Sequence, residues 1–148
     1  MTTYDRTADE TVLATTAAAA PGKVLHITTW VFQILLGLFM IGASATPKLL
    51  GMESAAVGFD MIGWGDWFMY LVGCLEVAGG VGLLIPRVAG LAAIGLSLLM
   101  VGAAIFNVAI LDYPVLTPLI LLALFAGVAW VRRHQTQRFF KHGFASVR

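Results

Sequence analysis

Four long apolar runs dominate the sequence, and they restrict the folds that the chain can adopt. The runs are residues 25–45, 68–85, 88–111 and 115–131. Each is close to the roughly 20 residues that a helix needs to cross about 30 Å of hydrocarbon. Backbone N–H and C=O groups in lipid must bond within their own segment, so runs of this length are predicted to be helices. The pattern therefore predicts an all-α protein, an integral membrane bundle of four helices.

The composition and charge support this class and exclude others. The chain is 59% hydrophobic and 11% charged, whereas a soluble domain has about 25% charged residues. The formal net charge of +1 provides no general attraction for nucleic acid, so the lipid bilayer is the expected partner. The single cysteine, Cys74, lies inside an apolar run and excludes an intrachain disulfide and a dithiol mechanism.

The segments outside the runs define the organisation of the chain. Residues 1–23 are rich in Thr and Ala and are predicted to be a disordered cytoplasmic tail. Residues 24–132 form the predicted four-helix transmembrane domain, and residues 133–148 a basic cytoplasmic tail suited to an anionic lipid surface. Within the longer link between the first two runs, "ESAAVGFDMIGW" is predicted to form a short amphipathic helix on the membrane surface.

The basic residues predict the orientation, because they accumulate on the cytoplasmic side of membrane proteins. With both termini cytoplasmic, eight of the nine Lys and Arg residues lie inside, and Lys48 alone lies outside. We therefore expect a multi-pass protein of a plasma membrane with both termini cytoplasmic.

Glu76 is the most informative residue, because it lies near the middle of the second run. It is about 12 Å along the helix from Phe68, close to the bilayer midplane. A carboxylate at that depth costs about 2.5 kcal/mol or more on insertion scales, so it needs a partner or a proton. Gly73 and Gly80 flank it on the same helical face, which predicts that it points into the bundle. The alternative interpretation is that Glu76 is a buried carboxyl group without a function.

Three further polar residues are candidates for a site with Glu76. Lys48 has a stem long enough to reach it, and Gln33, Ser44 and Lys48 share one helical stripe if the first helix continues through Pro47. Asn107 lies near the outer end of the third run. Lys48, Glu76 and Asn107, with Gln33, are the predicted polar pocket. The alternatives are a lysine that only anchors a helix end and amides that only bridge helices.

Other chemistry has no support in the sequence. The three histidines are not paired at metal-ligand spacing with carboxylates, so no metal site is predicted. The sequence contains neither a serine nucleophile motif nor a glycine-rich phosphate loop opening a soluble helix. We therefore assign no catalytic residue, and whether the protein is an enzyme stays open.

The order of these motifs resembles the DoxX-like family over roughly residues 24–132. The resemblance rests on "SATPKLLG", on "FDMIGWGDWFMYLVGCLEVAGGVGLLIPR" and on a polar residue late in the third helix; the corresponding positions are Pro47, Lys48, Glu76 and Asn107. The family takes its name from subunits associated with quinone-linked oxidation. The resemblance implies a protein of the bacterial inner membrane, an accessory subunit that binds a quinone or lipid and works with a membrane or soluble oxidoreductase.

Two other functions fit the same residues. One is a small transporter or proton-conducting protein in which Glu76 is the titrating group. The other is a purely structural subunit of a membrane complex. Quinone titration and flux measurements in vesicles distinguish the three.

Overall fold

The computed structural model describes residues 20–134, 136 and 137, and their side chains from residue 26 onward. This part of the chain is helical throughout, apart from short connections, which confirms the all-α class. The elements are α1 (Ala20–Phe39), a first π segment (Met40–Ala45), α2 (Thr46–Leu49), α3 (Glu53–Ile62), α4 (Asp66–Leu84), α5 (Ala89–Phe106), a second π segment (Asn107–Leu111) and α6 (Leu116–Val131).

Within the described residues, three helical stretches are long and apolar enough to cross a membrane. They are His26–Leu49, Asp66–Leu84 and Ala89–Leu111. The fourth predicted span corresponds to α6, an apolar helix of 16 residues that is shorter than the others. The structure thus contains helices at all four apolar runs, and the crossing of the bilayer by α6 stays a prediction.

The chain divides into two units, residues 1–32 and residues 33–148. In the first unit, the described residues form the N-terminal part of α1. The second unit contains the remaining elements, and the following paragraphs concern this unit.

The core of the second unit lies between α4, α5 and α6. Helix α5 packs against both α4 and α6, and it turns toward them a stripe of residues three and four positions apart. The buried core residues are Leu36, Met40, Leu83, Ala93, Leu96, Met100, Phe125 and Val128. Large apolar side chains also lie on the outside, among them Leu98 at 69% exposure. Such an outer surface suits lipid and is unfavourable in water.

Glycine allows the first π segment to lie very close to α4. A Cβ atom on Gly80 would lie 2.7 Å from Ile41 Cγ1 and 2.9 Å from the carbonyl oxygen of Gly37. Neither distance is compatible with a side chain, so alanine at this position would push the two segments apart. Close backbone approach is the usual basis of helix association in membranes, where apolar surface alone provides no driving force.

The link between the first two apolar runs contains the predicted surface helix. Helix α3 covers Glu53–Ile62 and ends at Gly63, whose left-handed φ of 75° suits glycine. Its residues contact α4 and the second π segment. This helix therefore packs over the end of the unit that carries the loops following α2 and the second π segment.

The predicted tails fall mostly outside the described residues. Residues 1–19 of the predicted N-terminal tail (1–23) lie outside them, whereas α1 begins at Ala20, so residues 20–23 are helical. Of the predicted C-terminal tail (133–148), residues 135 and 138–148 lie outside, and residues 133, 134, 136 and 137 are helical.

Candidate functional site

An ion pair joins Lys48 of α2 to Glu76 of α4. Lys48 Nζ donates to Glu76 Oε2 at 2.9 Å and to Oε1 at 3.0 Å. The Glu76 side chain is almost completely buried, at 4% exposure, while that of Lys48 is 17% exposed. The mid-helix carboxylate therefore has a cationic partner, which offsets the cost of placing it in an apolar bundle.

Ser44 completes the network around this pair. Its hydroxyl donates to Glu76 Oε1 at 2.9 Å, and its backbone carbonyl accepts from Lys48 Nζ at 2.8 Å. The Ser44 hydroxyl is also 3.3 Å from Lys48 Nζ, in position to accept from it. Each carboxylate oxygen thus accepts from Lys48, and Oε1 accepts from Ser44 as well. The three residues hold one another in a single arrangement.

The first π segment sets the direction in which Ser44 and Lys48 point. Met40 and Ala45 are both fully buried although they are five residues apart. In a regular α-helix, such residues are separated by about 140° around the axis and cannot share a face. The wider π turn shifts the register by one residue, so the part of the helix after it faces α4 differently. Single π turns inside α-helices are frequent at functional sites.

Gly73 makes room for Lys48 beside α4. A Cβ atom on Gly73 would lie 3.2 Å from Lys48 Cβ and 3.0 Å from Leu49 Cδ2. Gly73 is three residues before Glu76 and therefore on the same helical face. A larger residue would displace α2 and lengthen the distance between the two charges.

The ion pair lies in the wall of a cavity of about 730 Å³. Most of the wall is apolar and comes from α4, α5 and α6, with α3 covering it; representative residues are Phe39, Phe59, Leu75, Leu99, Ala103 and Leu121. Polar groups are few and are contributed by Ser44, Lys48, Ser54, Glu76, Asn107, Tyr113 and Thr117. A largely apolar cavity with a small number of polar groups is typical of sites for small amphipathic molecules.

Aromatic side chains close one side of the cavity. Phe68 lies 5.6 Å from Phe59 and 5.7 Å from Phe106 between ring centroids. Trp64 contacts the same cluster, 4.8 Å from Phe68 and 5.4 Å from Phe106. These edge and tilted contacts join α3, α4 and α5 at the cavity, so the cover provided by α3 is firmly packed.

Asn107 belongs to the same cavity but does not join the ion pair. It begins the second π segment, and its Nδ2 donates to the carbonyl oxygen of Pro114 at 3.1 Å. That bond fixes the turn after the second π segment, whereas the alternative interpretation expected a hydrogen bond between two helices. Asn107 also lines the cavity, together with Ser44 and Lys48 from the other π-containing helix.

Gln33 lies elsewhere, which corrects the predicted pocket. Its Nε2 donates to the carbonyl oxygen of Leu83, and its Oε1 accepts from Arg132 Nε at 3.1 Å. Leu83 is seven residues beyond Glu76 along α4, about 10 Å away, and Gln33 is absent from the cavity wall. Gln33 and Arg132 are both buried and connect three helices. Gln33 and Lys48 both face α4, but the 15 residues between them span about 22 Å along a helix, which is too far for one pocket.

Two residues of these networks were not among the predicted site residues. Ser44 was placed only on the helical stripe, and the signal for its polar role was its position four residues before Lys48. Arg132 was counted only among cytoplasmic cations. Nothing in its local sequence indicates that it is 4% exposed and bonded to a residue 99 positions earlier.

A comparison with known protein families shows to which family this chain belongs. The sequence model of the DoxX-like family matches residues 31–128, about two thirds of the chain, including Lys48, Glu76 and Asn107. The chain belongs to the DoxX-like family. No curated protein and no solved structure matches this DoxX-like protein. Family membership and the apolar helices together indicate a membrane protein.

Proposed function

We propose that this DoxX-like protein crosses the bacterial inner membrane four times, with both termini in the cytoplasm. The three long apolar stretches supply three spans, and α6 supplies the fourth. Its 16 residues cover about 24 Å, and the flanking Val115 and the stem of Arg132 add to that length. The orientation is supported by the basic residues, since eight of nine then lie on the cytoplasmic side.

The function that the cavity supports best is the binding of a quinone or a similar amphipathic lipid, within an accessory subunit of a membrane redox system. The observation that carries this proposal is the cavity of about 730 Å³, with apolar walls and the Lys48–Glu76 pair in one of them. Apolar walls hold a ring and tail, and a few polar groups orient a head group. Family membership fits this function, and a soluble or membrane oxidoreductase is the corresponding partner.

A pair of glycine variants tests the proposal. Gly102 lines the cavity and Gly95 does not, although both are in α5 and both have open space within 4 Å of a Cβ atom. Leucine at either position improves helix propensity by about the same amount. Only Gly102→Leu places a branched side chain in the cavity. Gly95→Leu is therefore a matched control for expression and folding.

The measurement is calorimetric titration of purified protein with decyl-1,4-benzoquinone. We expect saturable binding to the natural sequence and to Gly95→Leu, and binding at least tenfold weaker to Gly102→Leu. Equal affinities for the two variants would show that the quinone does not occupy this cavity. Absence of binding, combined with a proton or solute flux in vesicles that Glu76→Gln abolishes, would replace the proposal with the transport function. Absence of both would leave a structural subunit.

A further inference from the structure

We propose that the cavity binds a quinol, the reduced form of a quinone, more tightly than the oxidised form, because Glu76 keeps an open acceptor position while the donors around it are all in use. This inference rests on the proposed quinone-binding function and specifies it. The two forms have the same carbon skeleton and tail. They differ in the head group, which has hydroxyl donors in the quinol and only carbonyl acceptors in the oxidised form.

The first observation is that Lys48 has no N–H group left for a ligand. Its ammonium group has three N–H donors. The Ser44 carbonyl at 2.8 Å, Glu76 Oε2 at 2.9 Å and Glu76 Oε1 at 3.0 Å accept from all three. The Ser44 hydroxyl, at 3.3 Å, is a fourth acceptor within reach. The 17% exposure of the Lys48 side chain therefore gives a head group no free donor.

The second observation is that the Ser44 hydroxyl has also committed its proton. It donates to Glu76 Oε1 at 2.9 Å. A hydroxyl group has one O–H donor and can otherwise only accept. The ammonium group of Lys48 and the hydroxyl of Ser44 thus use all their donor hydrogens within the network. A quinone carbonyl gains a hydrogen bond from this network only if one of the existing bonds breaks.

The third observation is the open acceptor position on Glu76. An ionised carboxylate has about four acceptor positions, two on each oxygen. Oε1 accepts from Ser44 and Lys48, whereas Oε2 accepts from Lys48 alone among the residues that the structure describes. Glu76 lies in the wall of the cavity, so a ligand hydroxyl that donates to Oε2 adds a bond and displaces none. Hydrogen bonds to a charged acceptor are roughly twice as strong as those between neutral groups.

The remaining polar groups of the cavity favour neither form. Their hydroxyl and amide groups can donate or accept; the residues are Ser54, Asn107, Tyr113 and Thr117. Lys48 and Glu76 are the only charged residues in the described wall, and their charges cancel, so an anionic head group gains no net attraction. The network around Glu76 therefore selects a neutral donor, and a quinol hydroxyl is such a group.

The matching test is calorimetric titration of the purified full-length protein with decyl-1,4-benzoquinone and with its hydroquinone, kept reduced under anaerobic conditions. We expect the hydroquinone to bind at least tenfold more tightly, since a hydrogen bond to a charged group separates the two forms. A tenfold ratio corresponds to a midpoint potential raised by about 30 mV for the bound two-electron couple. If neither form binds, the proposed function itself fails. If the two bind equally, or the oxidised form binds more tightly, the function stands and the quinol preference is refuted.

The dimethyl ether of the same hydroquinone separates hydrogen bonding from the chemistry of the ring. It has the aromatic ring and the tail but no O–H donor, so it should bind no more tightly than the oxidised form. An ether that binds as tightly as the hydroquinone would overturn the inference, because the donor would then make no difference.

Variants of Glu76 and Ser44 assign the preference to the open acceptor position. Glu76→Gln keeps the shape but replaces one carboxylate oxygen with an NH₂ group that donates, so the preference for the hydroquinone should fall below threefold or reverse. Ser44→Ala removes a donor from Oε1 and opens a second acceptor position, so the preference should stay at least tenfold.

Ser97→Ala is the matched control for Ser44→Ala. The Ser97 hydroxyl donates to the Ala93 carbonyl of its own helix at 2.8 Å, and Ser97 lies off the cavity wall. An unchanged preference in a folded Glu76→Gln, or a preference lost in Ser44→Ala but kept in Ser97→Ala, would contradict the role of Glu76. If Glu76→Gln does not fold, Ser44→Ala and the dimethyl ether decide.

Discussion

Replacing Lys48 and Glu76 singly and together should reveal a strong coupling between them. In Lys48→Met, the Ser44 hydroxyl is the one side-chain donor left to Glu76 among the residues that the structure describes. Removing one partner of a buried ion pair costs about 3–5 kcal/mol, and the 17% exposure of Lys48 places this site toward the lower limit. We therefore expect a loss of about 3 kcal/mol.

The double variant Lys48→Met with Glu76→Leu should be more stable than Lys48→Met alone. Well-packed apolar replacements of a buried pair are often neutral, because the desolvation cost disappears with the charges. We expect the double variant within about 1 kcal/mol of the natural sequence and a coupling energy of about 2 kcal/mol or more. The measurement is reversible unfolding in mixed detergent micelles, followed by tryptophan fluorescence. Additive losses from the two single variants would refute the reasoning, because they would show that the two charges do not stabilise each other.

Three further predictions concern packing, the second polar network and topology. Gly80→Ala should lower stability by about 1–2 kcal/mol, since overpacking outweighs the gain in helix propensity. A Cβ atom on Gly127 would meet nothing within 4 Å, so Gly127→Ala should raise stability by up to about 1 kcal/mol. Equal effects of the two variants in thermal unfolding would contradict the close approach of Gly80 to Gly37 and Ile41. Gln33→Leu should lower stability by about 1–3 kcal/mol, because the Leu83 carbonyl and Arg132 Nε each lose a hydrogen bond to Gln33. The affinity for the quinone, measured by calorimetry, should stay unchanged. An altered affinity would show that the Gln33 network and the Glu76 network are coupled. A reporter fused to the C-terminus should be active only in the cytoplasm, and periplasmic activity would rule out the proposed orientation.

Helix positions and the burial of Glu76 were accessible from the sequence because they depend on local properties. An apolar run of about 20 residues has no option in lipid other than a helix. Glycines three before and four after a carboxylate put it on the closely packed face of its helix. The pairing with Lys48 followed from charge balance, since few partners were within reach. The match of residues 31–128 to the DoxX-like family agrees with the order of these same motifs.

The division of the polar residues into two networks depends on the tertiary structure. A shared helical stripe from Gln33 to Lys48 suggests one pocket, but the two residues are about 22 Å apart along the helix and bond to different turns of α4. No residue in "MIGASA" indicates the π segment that the structure shows there. The two partners of Gln33 are 50 and 99 positions away, and local periodicity carries no information about such contacts.

By itself, the sequence determined that this chain is helical, apolar on its outside and charged at one interior point, because these properties follow from hydrophobicity and the cost of burying charge. The tertiary structure alone decided that Ser44 joins Lys48 at Glu76, where Gln33 binds, and that a cavity of about 730 Å³ lies beside the ion pair. The physical reason is that cavities and long-range hydrogen bonds depend on helix register and on the distances between helices. These are properties of the packed bundle, which no single segment contains.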